Sequence, residues 1–127
     1  MSLVPTGFEF VEDPSTCHPA ATRLVRIPAG VLRKRDLMSI YSRELQLPSY
    51  FGWNWDALEE CLRDLSRLPA GRIAIIHEGL PLARSHKSQR VYLQMLREVA
   101  ATSTASSHPI AVVLPAAAQA IVLRAGG

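Results

Sequence analysis

The sequence predicts a mixed α/β fold: a small three-stranded parallel sheet packed against three to four helices, with a possible extra strand from a terminal extension. Two observations carry most of this. Arg72–His77 (RIAIIH) and Ile110–Leu114 (IAVVL) are short, nearly continuous apolar runs, the mark of strands buried on both faces of a parallel sheet. Before and between them lie stretches with apolar residues at helical spacing, long enough to form the crossovers that parallel strands require.

Taken in order, residues 1–21 carry Pro5, Gly7, Pro14 and Pro19 and read either as an irregular extension or as one with a short edge strand from Phe8, Phe10 and Val11. Arg23–Pro28 alternates, with Val25 and Ile27 on one face and Leu24 and Arg26 on the other. Arg35–Gln46 reads as a helix with Asp36 in its first turn, ended by Leu47-Pro48 because the residue before proline avoids the α region. A second helix spans about Trp55–Arg67, with Asn54 as its N-cap and Trp55, Leu58, Leu62 and Leu65 on one face. Ser88–Ala101 gives a third, and Ala120–Leu123 a further short strand or a packed tail. The domain boundaries expected are an extension over 1–21, an α/β domain over 22–115 and a C-terminal extension over 116–127.

With 127 residues, of which 48% are hydrophobic and 20% charged, the chain is sized for one ordinary core and is not a disordered tail. The longest apolar stretch, Ile110–Ala118, is about half the roughly 18–20 residues that span a bilayer. The N-terminus shows no basic segment followed by an apolar one, so no signal peptide and no membrane role are expected, the compartment is the cytoplasm, and Cys17 and Cys61 are expected as free thiols. The net charge is +3, but from Pro48 to Leu62 it is −3, with Asp56, Glu59 and Glu60 and no base. A compact acidic site stands on an otherwise basic protein.

Much chemistry is missing. His18, His77, His86 and His108 are scattered, and no ligand spacing, phosphate-binding glycine loop or nucleophile elbow occurs, so neither metal, cofactor nor enzymatic activity is expected. Cys61 reads as a small buried helix residue and not as a nucleophile paired with His77. Arg33-Lys34-Arg35 with Arg84, Lys87, Arg90 and Arg97 reads as solvated helix faces with scattered arginines, so nucleic acid is not an expected partner.

The informative segment is Leu47–Leu62, LPSYFGWNWDALEECL. Tyr50, Phe51, Trp53 and Trp55 crowd into six residues of a chain only 6% aromatic. Trp55 falls on the core face of the helix, whereas Tyr50 and Trp53 supply exposed contact area of the kind that anchors protein interfaces. Asp56, Glu59 and Glu60 share a helix face, and like charges at that spacing repel, although Glu59 also reaches Arg63 at i+4.

This segment resembles the signature of the barstar-like family, the intracellular inhibitors of barnase-type ribonucleases: Leu47, Pro48, Tyr50, Gly52, Asn54, Asp56, Ala57, Leu58 and Leu62 fall in register without a gap. Asp36, Leu37, Glu44 and Leu45 suit the family's first helix, Pro69 the proline before its second strand, and Gln94–Glu98 its last helix. The resemblance implies a binding edge built from the second helix and its preceding loop, whose carboxylates enter the partner's cationic active site in place of RNA phosphate. By position it implies roles for Tyr50, Asp56, Glu60 and Glu98, with Glu60 standing where the family's central acid is usually Asp. Together with Trp53 and Glu59 these are the expected partner-binding residues. The function expected is an immunity-type inhibitor, monomeric when free, whose partner is a small basic bacterial ribonuclease; the alternative is an interaction module on the same scaffold with a non-nuclease partner.

Overall fold

The computed structural model describes residues 8–16, 21, 23–48 and 52–126. Its strands are β1 (Phe8–Val11), β2 (Arg23–Ile27), β3 (Ile73–His77) and β4 (Ile110–Pro115), and its helices are α1 (Lys34–Glu44), α2 (Trp55–Arg63), α3 (His86–Thr102) and α4 (Gln119–Gly126). All strand pairings are parallel, in the order β1-β4-β3-β2. The expected three strands form the body of the sheet, and the expected edge strand at Phe8–Val11 adds the fourth.

Register sorts the side chains. Val25, Ile75 and Val112 lie opposite one another across three strands, and they belong to the same core as Leu37, Leu58 and Leu96 from α1, α2 and α3. The three helices therefore cover one face, as right-handed crossovers β2→β3→β4 in a single direction demand. The step from β1 to β2 runs the other way across the sheet, so the described part of that connection belongs on the opposite face. There its short 3-10 turn, Pro14–Thr16, buries Pro14, and Arg26 Nη1 donates to the Pro14 carbonyl at 3.4 Å. Ala74, Ile76 and Val113 on that face are as buried as their neighbours on the helical side, which is why β3 lacks any alternation.

Three helix boundaries differ from expectation by two residues or more, and one element differs in type. α1 stops at Glu44 rather than Gln46: Gln46 takes a left-handed φ of 51° and the Leu47 N–H donates back to the Ser42 carbonyl at 3.0 Å, a Schellman closure made before Pro48 is reached. α2 ends at Arg63 rather than Arg67, because the Asp64 carboxylate accepts the Ser66 N–H at 3.2 Å and offers the backbone a turn in place of the next helical bond. α3 starts at His86, two residues before the expected start, since Ser85 caps it by accepting from the Ser88 N–H at 3.3 Å. The C-terminal segment is the helix α4, not a strand; its alanine-rich sequence has high helix propensity and Val122 anchors it in the core.

Inside this apolar core runs one polar chain. His77, at the end of β3, has Nδ1 3.1 Å from the Val113 carbonyl and Nε2 2.7 Å from Tyr92 Oη, which is 2.6 Å from Tyr41 Oη. A carbonyl only accepts, so Nδ1 carries the proton; Nε2 then accepts from Tyr92, and Tyr92 accepts from Tyr41. Burial holds the His77 pKa down at about 4 and pushes both tyrosine hydroxyls up, so all three are neutral.

A neutral buried histidine makes the fold acid-sensitive. Its native pKa lies below the unfolded value near 6.5, so between roughly pH 6.5 and 4 the unfolded chain holds the extra proton and stability falls as pH falls. Urea denaturation at pH 7 and pH 4.5 should differ by about 2–3 kcal/mol from this group, and the difference should vanish in a His77→Gln variant. Tyr92→Phe, which leaves His77 Nε2 without its donor, should cost about 1–3 kcal/mol at pH 7.

Candidate functional site

α2 and the connector before it are built around Asn54. Its Oδ1 accepts the Ala57 N–H at 2.8 Å, capping the helix, while Nδ2 donates to the Gly52 carbonyl at 3.2 Å. One side chain thus closes the turn and starts the helix. Gly52 is needed for this close approach: a Cβ there would stand 3.0 Å from Asn54 Nδ2 and 3.6 Å from the Ala57 methyl. Between them Trp53 adopts a left-handed φ of 55°, an expensive conformation for a bulky residue, and leaves its side chain 42% exposed.

Trp55, the first residue of α2, turns inward. Its ring centroid is 5.8 Å from that of Tyr92, and Lys34 Nζ sits 5.7 Å above the indole. Leu58 and Leu62 complete the buried stripe. The opposite face carries the acids. Asp56 and Glu60 are exposed one turn apart and their carboxylates, among the described residues, make no hydrogen bond or ion pair. Glu59 differs. Its Oε2 accepts from Arg63 Nε at 3.0 Å and Nη2 at 2.9 Å, while Arg63 Nη1 donates to Thr102 Oγ1 of α3 at 2.8 Å. Glu59 is therefore committed to fastening α2 onto α3.

Glu98 lies on α3 one turn before Thr102, whose hydroxyl also donates to the Glu98 carbonyl, so its exposed carboxylate borders the α2–α3 seam. Of the residues expected from the sequence, Trp53, Asp56, Glu59, Glu60 and Glu98 are thus gathered along one edge; Tyr50, like Phe51, lies outside the described residues. The sequence reading missed Asp64, which continues the line Asp56–Glu60 by one further turn. Its helical spacing was the available signal. Hydrogen bonds from Ser66 and the nearby Arg67 and His108 hold its carboxyl below the usual range.

A cleft of about 540 Å³ opens at the far end of α2, where Arg63 and Thr102 meet Leu65, Ser103 and His108. The Ser103 hydroxyl is spent on the Ala100 carbonyl and the Ile110 N–H. Neither ring nitrogen of His77 is free to take a proton from Cys61, since Tyr92 and Val113 occupy both. Partial burial pushes the Cys61 thiol up, away from a reactive thiolate. Among the described residues no three His, Cys, Asp or Glu side chains converge as metal ligands, and no helix is long and apolar enough to cross a membrane.

The family whose sequence model matches, described as Barstar (barnase inhibitor), covers residues 23–115, well over half of the chain. The chain belongs to the barstar family. No curated protein matches it. The barstar match begins at the first residue of β2 and ends at the last of β4, so it contains the acidic edge and its supporting helices, while β1 and α4 lie outside it.

Asn54→Ala should test how far the cap holds this barstar edge in shape. A loss of about 1 kcal/mol, within a usual range of 0.5–2, is expected in urea unfolding, with protection of the first α2 amides reduced in hydrogen exchange.

Proposed function

We propose that this chain is an intracellular inhibitor that occludes the cationic active site of a barnase-type ribonuclease or related nuclease toxin, using Asp56 and Glu60 as phosphate mimics. The observation that supports it is the contrast along α2: Glu59 is spent on Arg63, whereas the carboxylates of Asp56 and Glu60 stand exposed one turn apart and unpaired among the described residues. Two solvated carboxylates at that spacing on a rigid helix are ready to accept forked guanidinium bonds that a nuclease otherwise gives to phosphate oxygens. Trp53, and Tyr50 by position in the motif, would pack beside them as aromatic anchors, with Glu98 contributing at the periphery. Glu59 is assigned a positioning role: its ion pair braces the helix that carries the other two.

A second reading, a barstar-fold interaction module with a non-nuclease partner, draws support from the net charge of +3, which does not steer the chain toward a basic nuclease. The two separate in one assay. A panel of small basic ribonucleases is titrated with the chain while RNA cleavage is followed, at low and moderate salt. Inhibition should weaken as salt rises. Asp56→Asn should raise the inhibition constant about tenfold or more, and Glu60→Lys should raise it by at least roughly 100-fold, from lost charge-assisted bonds and added repulsion. Glu59→Gln should act on stability more than on inhibition. Inhibition by Glu60→Lys as strong as the parent's would end the proposal, and no inhibition across the panel would leave the interaction-module reading.

A further inference from the structure

Folding brings two basic runs, far apart in the sequence, to one edge of the sheet. Arg33, Lys34 and Arg35 stand at the start of α1, while Arg84 and Lys87 flank the start of α3 and Arg90 lies one turn further on. β2 and β3 are adjacent and parallel, so the segments leading from them into α1 and α3 leave the same C-terminal end. These segments are stitched together: the Glu78 N–H donates to the Ile27 carbonyl and the Leu82 N–H to the Val31 carbonyl, both at 2.8 Å. Gly79 lies against Ala29 so closely that a Cβ would be 3.0 Å from the alanine methyl. Arg33 and Arg84 each follow the Val31–Leu82 bond by two residues, which holds their backbones within about 20 Å of each other.

The six side chains are exposed. Lys34 leans over Trp55, and none of the six forms an ion pair with a described carboxylate. The two segments contain two acids: Glu78, which faces Arg26 at 3.7 Å, and Asp36 in the first turn of α1. Within these two segments six cations meet one carboxylate that has no cation of its own, and Asp56 borders them at Lys34, which covers the preceding Trp55. Strand adjacency brings two runs that are distant in the sequence to the same end of the sheet.

We infer that this edge binds the phosphate backbone of nucleic acid without reading its sequence. Four of the six residues are arginines, whose planar forks grip phosphate oxygens bidentately. A patch on the order of 20 Å across spans several successive phosphates. Residues 28–36 and 78–90 contain no Phe, Tyr or Trp, and His86 is their one ring on which a base could stack, so affinity arises mainly from charge and sequence preference is weak. The inference does not depend on the acidic edge or its partner.

Fluorescence anisotropy of a labelled mixed-sequence RNA of about 20 nucleotides, and of a DNA duplex of the same length, tests it. With about four phosphate contacts to the single strand, affinity should fall roughly 50-fold between about 50 and 200 mM salt. The pairs Arg33→Glu/Arg35→Glu and Arg84→Glu/Lys87→Glu should each weaken binding at least about tenfold at low salt, with far-UV circular dichroism confirming the fold. Arg→Gln and Lys→Gln versions of the same pairs should weaken it less but in the same direction, and they serve where charge reversal disturbs a helix start. Arg72→Glu, a single charge reversal at the opposite end of the sheet, should have little effect, whereas Arg33→Glu or Arg84→Glu alone, the same charge change, should weaken binding. No binding at low salt, a loss from Arg72→Glu as large as from the pairs, or sensitivity to one pair alone would overturn the inference. So would binding to phosphatidylserine vesicles without binding to either nucleic acid.

Discussion

The proton order in the buried chain Tyr41–Tyr92–His77–Val113 is the constraint around which the rest of the molecule is arranged. It joins α1, α3, β3 and β4 through hydrogen bonds of 2.6–3.1 Å in a core otherwise filled by apolar side chains. The Val113 carbonyl only accepts, which fixes the proton on Nδ1, and burial keeps the imidazole neutral, so Nε2 accepts from Tyr92 and Tyr92 from Tyr41. Each member would carry a desolvation penalty if its partner moved away. Apolar packing alone tolerates sliding; this chain does not.

The same tyrosine connects core to surface. Trp55 rests on the Tyr92 ring at its inner end and begins α2 at its outer end, so the helix carrying Asp56 and Glu60 is seated on a group that cannot shift. Asn54 and the Glu59–Arg63–Thr102 bridge complete the seating from the connector and from α3. Each of these is a polar interaction at the surface that would contribute little alone. Their value lies in aiming two solvated carboxylates whose own sites make no internal bond.

Charge is segregated by the topology. Acids line the outer face of α2 and the neighbouring seam with α3, while six bases gather where α1 and α3 begin. The net charge of +3 describes neither region. A barstar-family domain with an acidic helix edge and a basic sheet edge presents two surfaces of opposite sign, suited to partners of opposite charge. The strand β1 and the turn at Pro14, outside the family match, cover an edge and part of the second face of the sheet, which leaves Ile76 and Val113 fully enclosed.

What the amino-acid sequence determines by itself here is whatever depends on near neighbours in the chain. The unbroken apolar runs of β3 and β4, the alternation of Val25 and Ile27, the cap at Asn54 and the i+4 pairing of Glu59 with Arg63 were all legible, since periodicity and capping act over a few residues. Helix ends were less so, because Gln46 in the left-handed region and the Asp64–Ser66 turn compete with continued helix by margins that residue type does not reveal. The tertiary structure alone decided that Glu59 is braced while the carboxylates of Asp56 and Glu60 have no partner among the described residues, since the brace depends on Thr102 arriving beside Arg63 from another helix. It alone decided that His77 belongs to a buried chain and that Arg33 and Arg84 share one edge. Those outcomes rest on which strands are adjacent, and adjacency is a long-range property that no local pattern encodes.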